Sequence, residues 1–412
     1  MIIMINRKIT PKLIEALKDS PVIVLHGARQ TGKSTLIKSI VKNEHKAEYI
    51  TFDDTAVLSA AKNNPGGFLE SYDNNLAIDE VQRVPELFLA IKKIVDTNRR
   101  PGKFILTGSA NILLIPKISE SLAGRIEILN LYPFSQNELA ASKFNLVDSF
   151  FDNKINLPKK FKSSNSILNR IVFGGYPEVQ DRKSPARRDA WFNSYITTIL
   201  QRDVRDLSNI DGITQLPRLL RLFAARSGSI LNFAEVSRSS GMPQSTLKRY
   251  MTLLESTFMT YLLPPFSGNF SKRLIKTPKV YLYDTGLLTH LISADENRFK
   301  NDPSLLGSVV ENFVLMEIIK QISWSEQLLN IYYFRTSSGQ EVDFLIERND
   351  GSLVGIEFKA TQYPRAEMFK WLKLLATETG KKFVRGFMFY NGEKLIPFDR
   401  NLFAIPISAF WS

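Results

Sequence analysis

Residues 22–35 read VIVLHGARQTGKST, an apolar run that leads into a loop bounded by two glycines. Gly27, Gly32, Lys33 and Ser34 meet the pattern G-x-x-x-x-G-K-[ST] in full. The flanking residues predict a buried strand before the loop and an amphipathic helix after it, which is the setting in which this pattern holds phosphate. A plain turn with a surface lysine is the alternative, and the agreement of strand, loop and helix disfavours it.

The composition of the loop suits a polyphosphate. Its glycines let the backbone turn tightly, so that successive N–H groups and the positive end of the next helix face an anion. Lys33 would reach the β- and γ-phosphates, and the Ser34 hydroxyl would hold Mg²⁺. ATP and Mg²⁺ are therefore the expected cofactors. The predicted nucleotide contacts in the loop are Gly27, Ala28, Arg29, Gln30, Thr31, Gly32, Lys33, Ser34 and Thr35.

A second predicted strand, residues 76–78, ends in Asp79 and Glu80. This is the Walker B arrangement, in which the first carboxylate supports Mg²⁺ and the second orients or deprotonates the attacking water. Asp79 is the expected metal-supporting residue, and Glu80 is the expected catalytic base. The next strand ends in Thr107 and is followed by Ser109. Either hydroxyl is a candidate γ-phosphate sensor, with Thr107 also counted among the nucleotide contacts, although a loop rich in hydroxyls explains them nearly as well.

Two arginines are candidate contacts to the γ-phosphate. Arg125 follows a Ser-Leu-Ala-Gly segment, and Arg202 lies in the charged helical run 201–206. For Arg202, a solvated helical face with intrahelical ion pairs is an equal alternative. Either arginine would act in its own chain or across a subunit boundary, and a homo-oligomer is one possible assembly.

Composition excludes several classes of protein. The 412 residues are enough for two or three domains, and 44% apolar with 23% charged residues is ordinary for a globular protein. The absence of cysteine excludes disulfides and thiolate metal sites, and three scattered histidines disfavour a zinc site. No apolar run approaches the length of a membrane span, and no signal peptide is recognisable, so a cytoplasmic protein without a membrane partner is expected.

The net charge of +13 points to a polyanionic partner, with nucleic acid, and DNA first, as the expectation. Residues 162–274 carry 16 Lys and Arg against 8 Asp and Glu, so the excess is concentrated there. Within this stretch, a helix, a turn through Gly241 and a helix over 244–256 form a helix-turn-helix pattern. Residues 259–263 and 279–283 then suit the two strands of a wing. Modules of this kind bind DNA or only join domains.

The last third of the chain carries a second constellation of charged residues. Asp343 and Glu357 interrupt apolar strands that are joined by an Asp-Gly turn, and Lys359 alternates with Glu357 onto the same face. Burying these groups is costly unless they meet each other, a metal or a phosphate. Together with Glu311 on an upstream helix, they are the parts needed to hold Mg²⁺ and activate a water against a phosphodiester. Asp343 and Glu357 are the expected metal ligands.

Together these motifs resemble the prokaryotic AAA-like P-loop ATPases whose C-terminal half is a domain of unknown function. The resemblance extends to Arg202-Asp203, to Pro133-Phe134-Ser135 and to the terminal Glu-Val-Asp-Phe and Glu-Phe-Lys pair. It implies that the C-terminal domain has a restriction-endonuclease-like fold, with Glu311, Asp343, Glu357 and Lys359 as the catalytic residues. The chain departs from the nuclease pattern at Val342, where a proline often precedes the aspartate.

The expected architecture is α/β throughout. A parallel-sheet AAA-like P-loop ATPase domain is expected over 1–160, a helical lid or connector over 161–210, a winged helix over 211–285 and a restriction-endonuclease-like domain over 286–412. The polar stretch 145–166 is expected to be a linker or a long loop. Two functions follow from this organisation. In one, ATP hydrolysis gates a DNA-directed nuclease; in the other, the chain is an ATP-driven switch that binds DNA or protein and carries an inactive nuclease-like scaffold.

Overall fold

A computed structural model describes residues 5–109, 122–152, 157–158, 160–162, 167–204, 213–266, 277–336 and 338–412. The chain forms two compact units. The first contains residues 1–133 with 256–258, and the second contains 134–255 with 259–412. Among the described residues, no helix combines the length and the apolar character that a bilayer span requires.

The first unit is built on a five-stranded sheet in which every neighbouring pair of strands is parallel. The strand order is β2-β3-β4-β1-β5, so β1 lies between β4 and β5. β1, β3 and β4 are buried along their whole length, as expected for parallel strands covered on both faces. The predicted parallel α/β core is confirmed. The strands are β1 (Val22–His26), β2 (Glu48–Thr51), β3 (Leu76–Asp79), β4 (Phe104–Gly108) and β5 (Ile126–Asn130).

Helices cover both faces of this sheet. One apolar cluster packs Val24, Ile78 and Leu106 against α5, and the other packs Ile23 and Leu25 against α1 and α2. Consecutive residues of β1 thus belong to opposite cores, because side chains alternate along a strand. The helices are α1 (Thr10–Ala16), α2 (Lys33–Asn43), α3 (Thr55–Asn63), α4 (Pro65–Glu70) and α5 (Leu87–Thr97).

The second unit begins with short helices. Asn145 caps α7 by accepting from the N–H groups of Val147 and Asp148, so the stretch expected to be a linker contains a helix. The side chain of Gln321 also accepts from backbone N–H groups of α7, a long-range contact that local composition does not reveal. These helices are α6 (Gln136–Leu139), α7 (Leu146–Ser149), α8 (Ile167–Phe173), α9 (Pro177–Gln180) and α10 (Pro185–Thr198), and a π-helical turn over Ile199–Asp203 continues α10.

Three helices and a two-stranded ribbon follow. Gly241 has a positive φ and ends the second helix, and Asn232 caps its start. The ribbon pairs β6 with β7 in antiparallel register. These elements are α11 (Leu216–Ala225), α12 (Phe233–Ser240), α13 (Gln244–Ser256), β6 (Thr260–Leu263) and β7 (Lys279–Leu282). The residues between the two strands, 267–276, lie outside the described part of the chain.

The C-terminal part is organised by a six-stranded sheet of mixed sense in the order β12-β13-β11-β10-β9-β8. β9 and β10 form the predicted hairpin, in which Gly351 at the turn has a φ of 82°. The strands are β8 (Leu329–Arg335), β9 (Glu341–Arg348), β10 (Leu353–Phe358), β11 (Phe383–Tyr390), β12 (Ile396–Asp399) and β13 (Leu402–Pro406). The helices are α14 (Thr285–Leu291), α15 (Glu296–Asn301), α16 (Ser304–Ser323) and α17 (Lys370–Thr379).

Candidate functional site

The loop between β1 and α2 closes around the ammonium group of Lys33. Lys33 Nζ donates to the carbonyl oxygens of Gly27 and Ala28, at 2.9 Å each, and the side chain is buried. Thr31 Oγ1 also donates to the Ala28 carbonyl, at 2.9 Å, and fixes the turn from inside. Gly32 has a φ of 92°, a left-handed conformation that favours glycine and that lets α2 begin at Lys33.

Gly27 is required by a close backbone approach. A Cβ atom at this position would lie 2.1 Å from the carbonyl oxygen of Leu131, which follows β5. Any side chain here would push the loop away from the neighbouring strand end. The first glycine of the motif therefore sets how closely the loop packs on the sheet, and the second sets the start of the helix.

Arg7 holds the loop from the amino-terminal side, a role that sequence reasoning missed. Its Nη1 donates to the Thr31 carbonyl at 2.7 Å, and its Nη2 donates to the Tyr132 carbonyl at 2.6 Å. One guanidinium group thus bridges the phosphate loop and the segment after β5. A lone arginine that precedes a helix carries no motif, so this contact could not be predicted from residue patterns.

Asp79 ends β3 with both carboxylate oxygens engaged. Thr107 Oγ1, at the end of the neighbouring strand β4, donates to Oδ1, and the Tyr49 hydroxyl donates to Oδ2 at 2.7 Å. Burial and the hydrogen bond to Asp79 raise the pKa of Tyr49 well above its ordinary value, whereas a hydrogen bond with Ser34 lowers it. Tyr49 therefore ties β2 to the carboxylate at the end of β3. The sequence did not indicate Tyr49, because a tyrosine in a strand suggests a core residue.

Glu80 lies directly after β3 in a left-handed conformation, with a φ of 59°. Such a conformation in a residue other than glycine costs on the order of 1–3 kcal/mol and is concentrated at functional sites. The Glu80 carboxylate accepts from Gln82 Nε2 at 2.5 Å and from Ser109 Oγ at 3.3 Å. The backbone turn and these two donors fix the direction in which Glu80 points.

This donor set suits a magnesium nucleotide. The groups around the loop are hydroxyl and carboxylate oxygens, which are the ligands that Mg²⁺ takes in proteins. Lys33 supplies the positive charge at the loop, and the N-terminus of α2 adds its backbone N–H groups. Ser34 and Asp79 are the residues that would hold the metal, the latter supported by Tyr49 and Thr107.

Arg125 is not brought to the phosphate loop within the first unit. It directly precedes β5, whose first residue Ile126 pairs with Val22, the first residue of β1. It therefore lies at the amino edge of the sheet, about 15 Å along the strand from the loop. Its Nε donates to Asp96 at 2.5 Å, and its Nη1 donates to the carbonyl of Ala123. The side chain of Arg202 lies outside the described part of the chain.

In the second unit, the four predicted residues of the C-terminal constellation come together. Glu357 Oε2 pairs with Lys359 Nζ at 2.8 Å, and Asp343 Oδ2 accepts from the Phe358 N–H at 2.9 Å. Burial and the charge of Asp343 raise the pKa of both Glu311 and Glu357 to about 7. These carboxyl groups therefore share one electrostatic environment.

Three further residues belong to this cluster. Glu311 Oε1 accepts from Tyr281 at 2.6 Å and from Lys279 Nζ at 3.1 Å, and Lys279 Nζ also pairs with Glu341 at 2.5 Å. Lys279 and Tyr281 lie on β7, far from the other residues in sequence, so spacing gave no signal for them. Across the described ranges, no group of three or more Asp, Glu or His side chains has a geometry that could hold a metal ion. Two lysines contact the carboxylates from which the pattern predicted a metal site, Lys279 and Lys359, so positive charge is already present beside them.

The exposed face of α13 is free of acids. Leu247, Met251 and Leu254 point into the core as expected, and Lys248 and Arg249 are exposed. The exposed residues of this helix are Gln244, Ser245, Lys248, Arg249 and Thr252. This face is able to contact an anionic or hydrogen-bonding surface.

Comparison with protein families agrees with the first unit. Residues 19–140 match the model of the AAA domain. Residues 164–298 and 306–410 match two domains of unknown function, DUF8612 and DUF4143 respectively. The match over residues 19–140 supports an AAA-like ATPase domain and ATP binding in that part of the chain.

One of the relatives extends over nearly the whole chain. An uncharacterized protein of Mycobacterium tuberculosis is 29% identical over 403 residues, which cover 97% of this chain and 83% of the relative. One of Haemophilus influenzae is 23% identical over 280 residues, or 66% of this chain and 62% of the relative. Among solved structures, the chain is similar to a Walker-type ATPase of Pyrococcus abyssi (TM-score 0.45, 16% identity, 70% of this chain and 96% of that one). It is also similar to RuvB of Thermotoga maritima (TM-score 0.31, 18% identity, 63% and 90%).

Proposed function

We propose that the protein binds and hydrolyses MgATP. The loop and the start of α2 bind the phosphates, with Lys33 as the main cationic contact. Ser34 and Asp79 hold Mg²⁺, which when bound neutralises charge that develops on the phosphates. Glu80 orients or deprotonates the attacking water, and Gln82 and Ser109 direct its carboxylate.

The observation that carries this proposal is the bonding of Asp79. Its carboxylate is fixed by hydroxyls from the two strands on either side of β3, Tyr49 from β2 and Thr107 from β4. Because β1, β3 and β4 run parallel, this carboxylate lies at the same edge of the sheet at which the phosphate loop follows β1. The two motifs of the sequence therefore meet at one edge of the sheet, as a magnesium nucleotide requires.

The binding step is tested with a fluorescent ATP analogue and Mg²⁺. Lys33→Ala removes a charge-assisted hydrogen bond to phosphate, so we expect affinity to fall about 10- to 100-fold. Lys42→Ala is the matched control, because Lys42 is exposed on the same helix. Equal affinities for the two variants would contradict the assignment of the loop.

We propose, as a second function, that α11, α12, α13 and the β6–β7 ribbon form a winged helix that binds DNA. The acid-free exposed face of α13 and the basic balance of residues 162–274 favour it. Replacing Lys248 and Arg249 with Ala should weaken binding to a DNA duplex and make it less steeply dependent on salt. The control is Lys381→Ala with Lys382→Ala, an exposed basic pair elsewhere in the second unit. Equal weakening by both pairs would assign the binding to overall charge.

We further propose that the C-terminal domain, with its restriction-endonuclease-like resemblance, acts as the scaffold of an ATP-driven switch. The internal pairing of its carboxylates favours this reading over a nuclease that cleaves DNA. The test is DNA cleavage with Mg²⁺ or Mn²⁺, with and without ATP, in the wild type and in Asp343→Ala. Cleavage that Asp343→Ala abolishes would establish the nuclease instead.

A further inference from the structure

Lys279 is a buried cation at the centre of the C-terminal carboxylate cluster. Its side chain is 3% exposed, and its ammonium group contacts Glu311 at 3.1 Å and Glu341 at 2.5 Å. The lysine opens β7, which belongs to the region before the C-terminal sheet, so it enters the cluster from a different part of the fold. A buried ammonium group is unfavourable unless anionic partners surround it.

Each carboxylate of the cluster already has a cationic or hydrogen-bonding partner in the chain itself. Glu311 has Lys279 and Tyr281, and Glu341 has Lys279 and Arg335. Asp343 accepts from the Phe358 N–H, and Glu357 Oε2 forms an ion pair with Lys359. Both oxygens of Glu357 are buried and accept no hydrogen bond within the described residues, so this ion pair is the contact that neutralises the carboxylate. The two lysines thus supply the positive charge that a divalent cation would otherwise supply.

We propose that Lys279 is the resident cation of this cluster and that it keeps a divalent metal ion out. The ammonium group contacts Glu311 of the predicted constellation and Glu341, which lies two residues before the expected metal ligand Asp343. A metal ion placed among these carboxylates would be repelled by the charge of Lys279 at close range. Burial lowers the pKa of Lys279, but Glu311 and Glu341 outweigh burial and raise it, so the group stays charged. The inference rests on the scaffold reading of the C-terminal domain and is independent of ATP binding.

Removing the charge of Lys279 should create the site that the lysine fills. In Lys279→Met, the carboxyl groups of Glu311, Glu341 and Asp343 lose their shared cation. A divalent cation is then able to take the place of the ammonium group, because Glu311 and Glu341 no longer have Nζ as a partner at 3.1 and 2.5 Å. Lys279→Arg keeps the charge and is the matched control.

The experiment measures Mn²⁺ binding to the full-length, nucleotide-free protein by electron paramagnetic resonance of free Mn²⁺. The wild type and Asp343→Asn should bind the same amount of Mn²⁺ per chain. Lys279→Met should bind one further Mn²⁺ per chain, with an apparent Kd of roughly 10⁻⁴ to 10⁻³ M as in weak carboxylate sites. Combining Lys279→Met with Asp343→Asn should remove this additional ion, and Lys279→Arg should behave as the wild type.

Two results would overturn the proposal. One is Mn²⁺ binding by the wild type that Asp343→Asn abolishes, since the cluster would then hold a metal beside Lys279. The other is a folded Lys279→Met that gains no Mn²⁺, since the lysine would then not be what excludes the ion. If Lys279→Met does not fold, Lys279→Gln replaces it, and the wild-type comparison with Asp343→Asn still decides the first point. Because ATP is absent throughout, neither result depends on the ATPase proposal.

Discussion

At the scale of single residues, the two sites use charge in different ways. Around the phosphate loop, Asp79 is fixed by neutral hydroxyls, so its charge remains available to a cation. In the C-terminal cluster, Glu311 and Glu357 are matched by lysines at 3.1 and 2.8 Å. The hydroxyl partners of Asp79 suit the binding of an incoming metal ion. The lysine partners of Glu311 and Glu357 suit a cluster whose charge is already neutralised within the protein.

Tyr49→Phe tests the network around Asp79. Loss of the hydroxyl removes the hydrogen bond to Asp79 Oδ2, while the ring keeps its packing. We expect kcat for ATP hydrolysis to fall about 10- to 100-fold, the range typical of outer-shell partners of metal ligands. Tyr72→Phe, in the same unit, is the control and should leave kcat unchanged. A Tyr49→Phe enzyme with wild-type kcat would show that the network has no part in turnover.

The pKa of Glu311 predicts a pH dependence of stability. Burial and Asp343 raise this pKa from 4.5 to about 7, so the folded state binds more protons than the unfolded state between these values. Stability contributed by the protonated group is therefore present below pH 4.5 and is lost as the pH rises through about 7.

Glu311→Gln should reduce this loss of stability with rising pH. Melting temperatures measured across the same pH range should decline less in Glu311→Gln than in the wild type. Some decline should persist, because the pKa of Glu357 is raised in the same direction. Glu367→Gln, at an exposed carboxyl group, should follow the wild type. If the melting temperature of Glu311→Gln declined with pH as steeply as that of the wild type, the pKa of Glu311 would not be raised in the folded protein.

At the scale of elements, local patterns predicted the phosphate loop and the β9–β10 hairpin but not the contacts between distant elements. The glycine pattern placed the loop between β1 and α2, and the Asp-Gly turn placed the β9–β10 hairpin. By contrast, Tyr281 and Lys279 reach Glu311 from β7, and Gln321 of α16 binds the backbone of α7. Such contacts depend on how elements pack in three dimensions, and residue spacing does not encode them. Arg125 illustrates the same limit, since its position in sequence does not reveal the sheet edge at which it lies.

Arg7 provides the test at this scale. Its guanidinium group joins the phosphate loop to the segment after β5 through two backbone carbonyls. Arg7→Ala leaves both carbonyls without this donor and loosens the loop, so we expect ATP affinity to fall by about tenfold, with a smaller change in kcat. Lys18→Ala, at an exposed position after α1, is the control. Unchanged affinity in a folded Arg7→Ala would show that the bridge does not support the nucleotide site.

At the scale of the whole molecule, the chain joins a unit with a parallel sheet to a second unit that contains a helical, basic region and a mixed sheet. The sequence predicted the parallel sheet, and the match of residues 19–140 supports an AAA-like ATPase. The winged-helix and restriction-endonuclease-like assignments stay predictions, since three helices with a two-stranded ribbon, and a mixed sheet, occur in more than one fold. The switch that binds DNA is our proposal, and it rests on the basic charge of residues 162–274 and on the lysines that pair with the C-terminal carboxylates.

We propose above all that Glu80 activates the attacking water at a nucleotide site built by the phosphate loop and Asp79. The most direct measurement is steady-state ATP turnover by the wild type and by Glu80→Gln, together with MgATP affinity of both. We predict turnover by the wild type and loss of turnover in Glu80→Gln with affinity unchanged within about threefold, because the amide keeps the shape of the side chain and loses its basicity. Undiminished turnover by Glu80→Gln would show that Glu80 does not activate the water. No MgATP binding by the wild type would show that the loop and Asp79 do not form a nucleotide site.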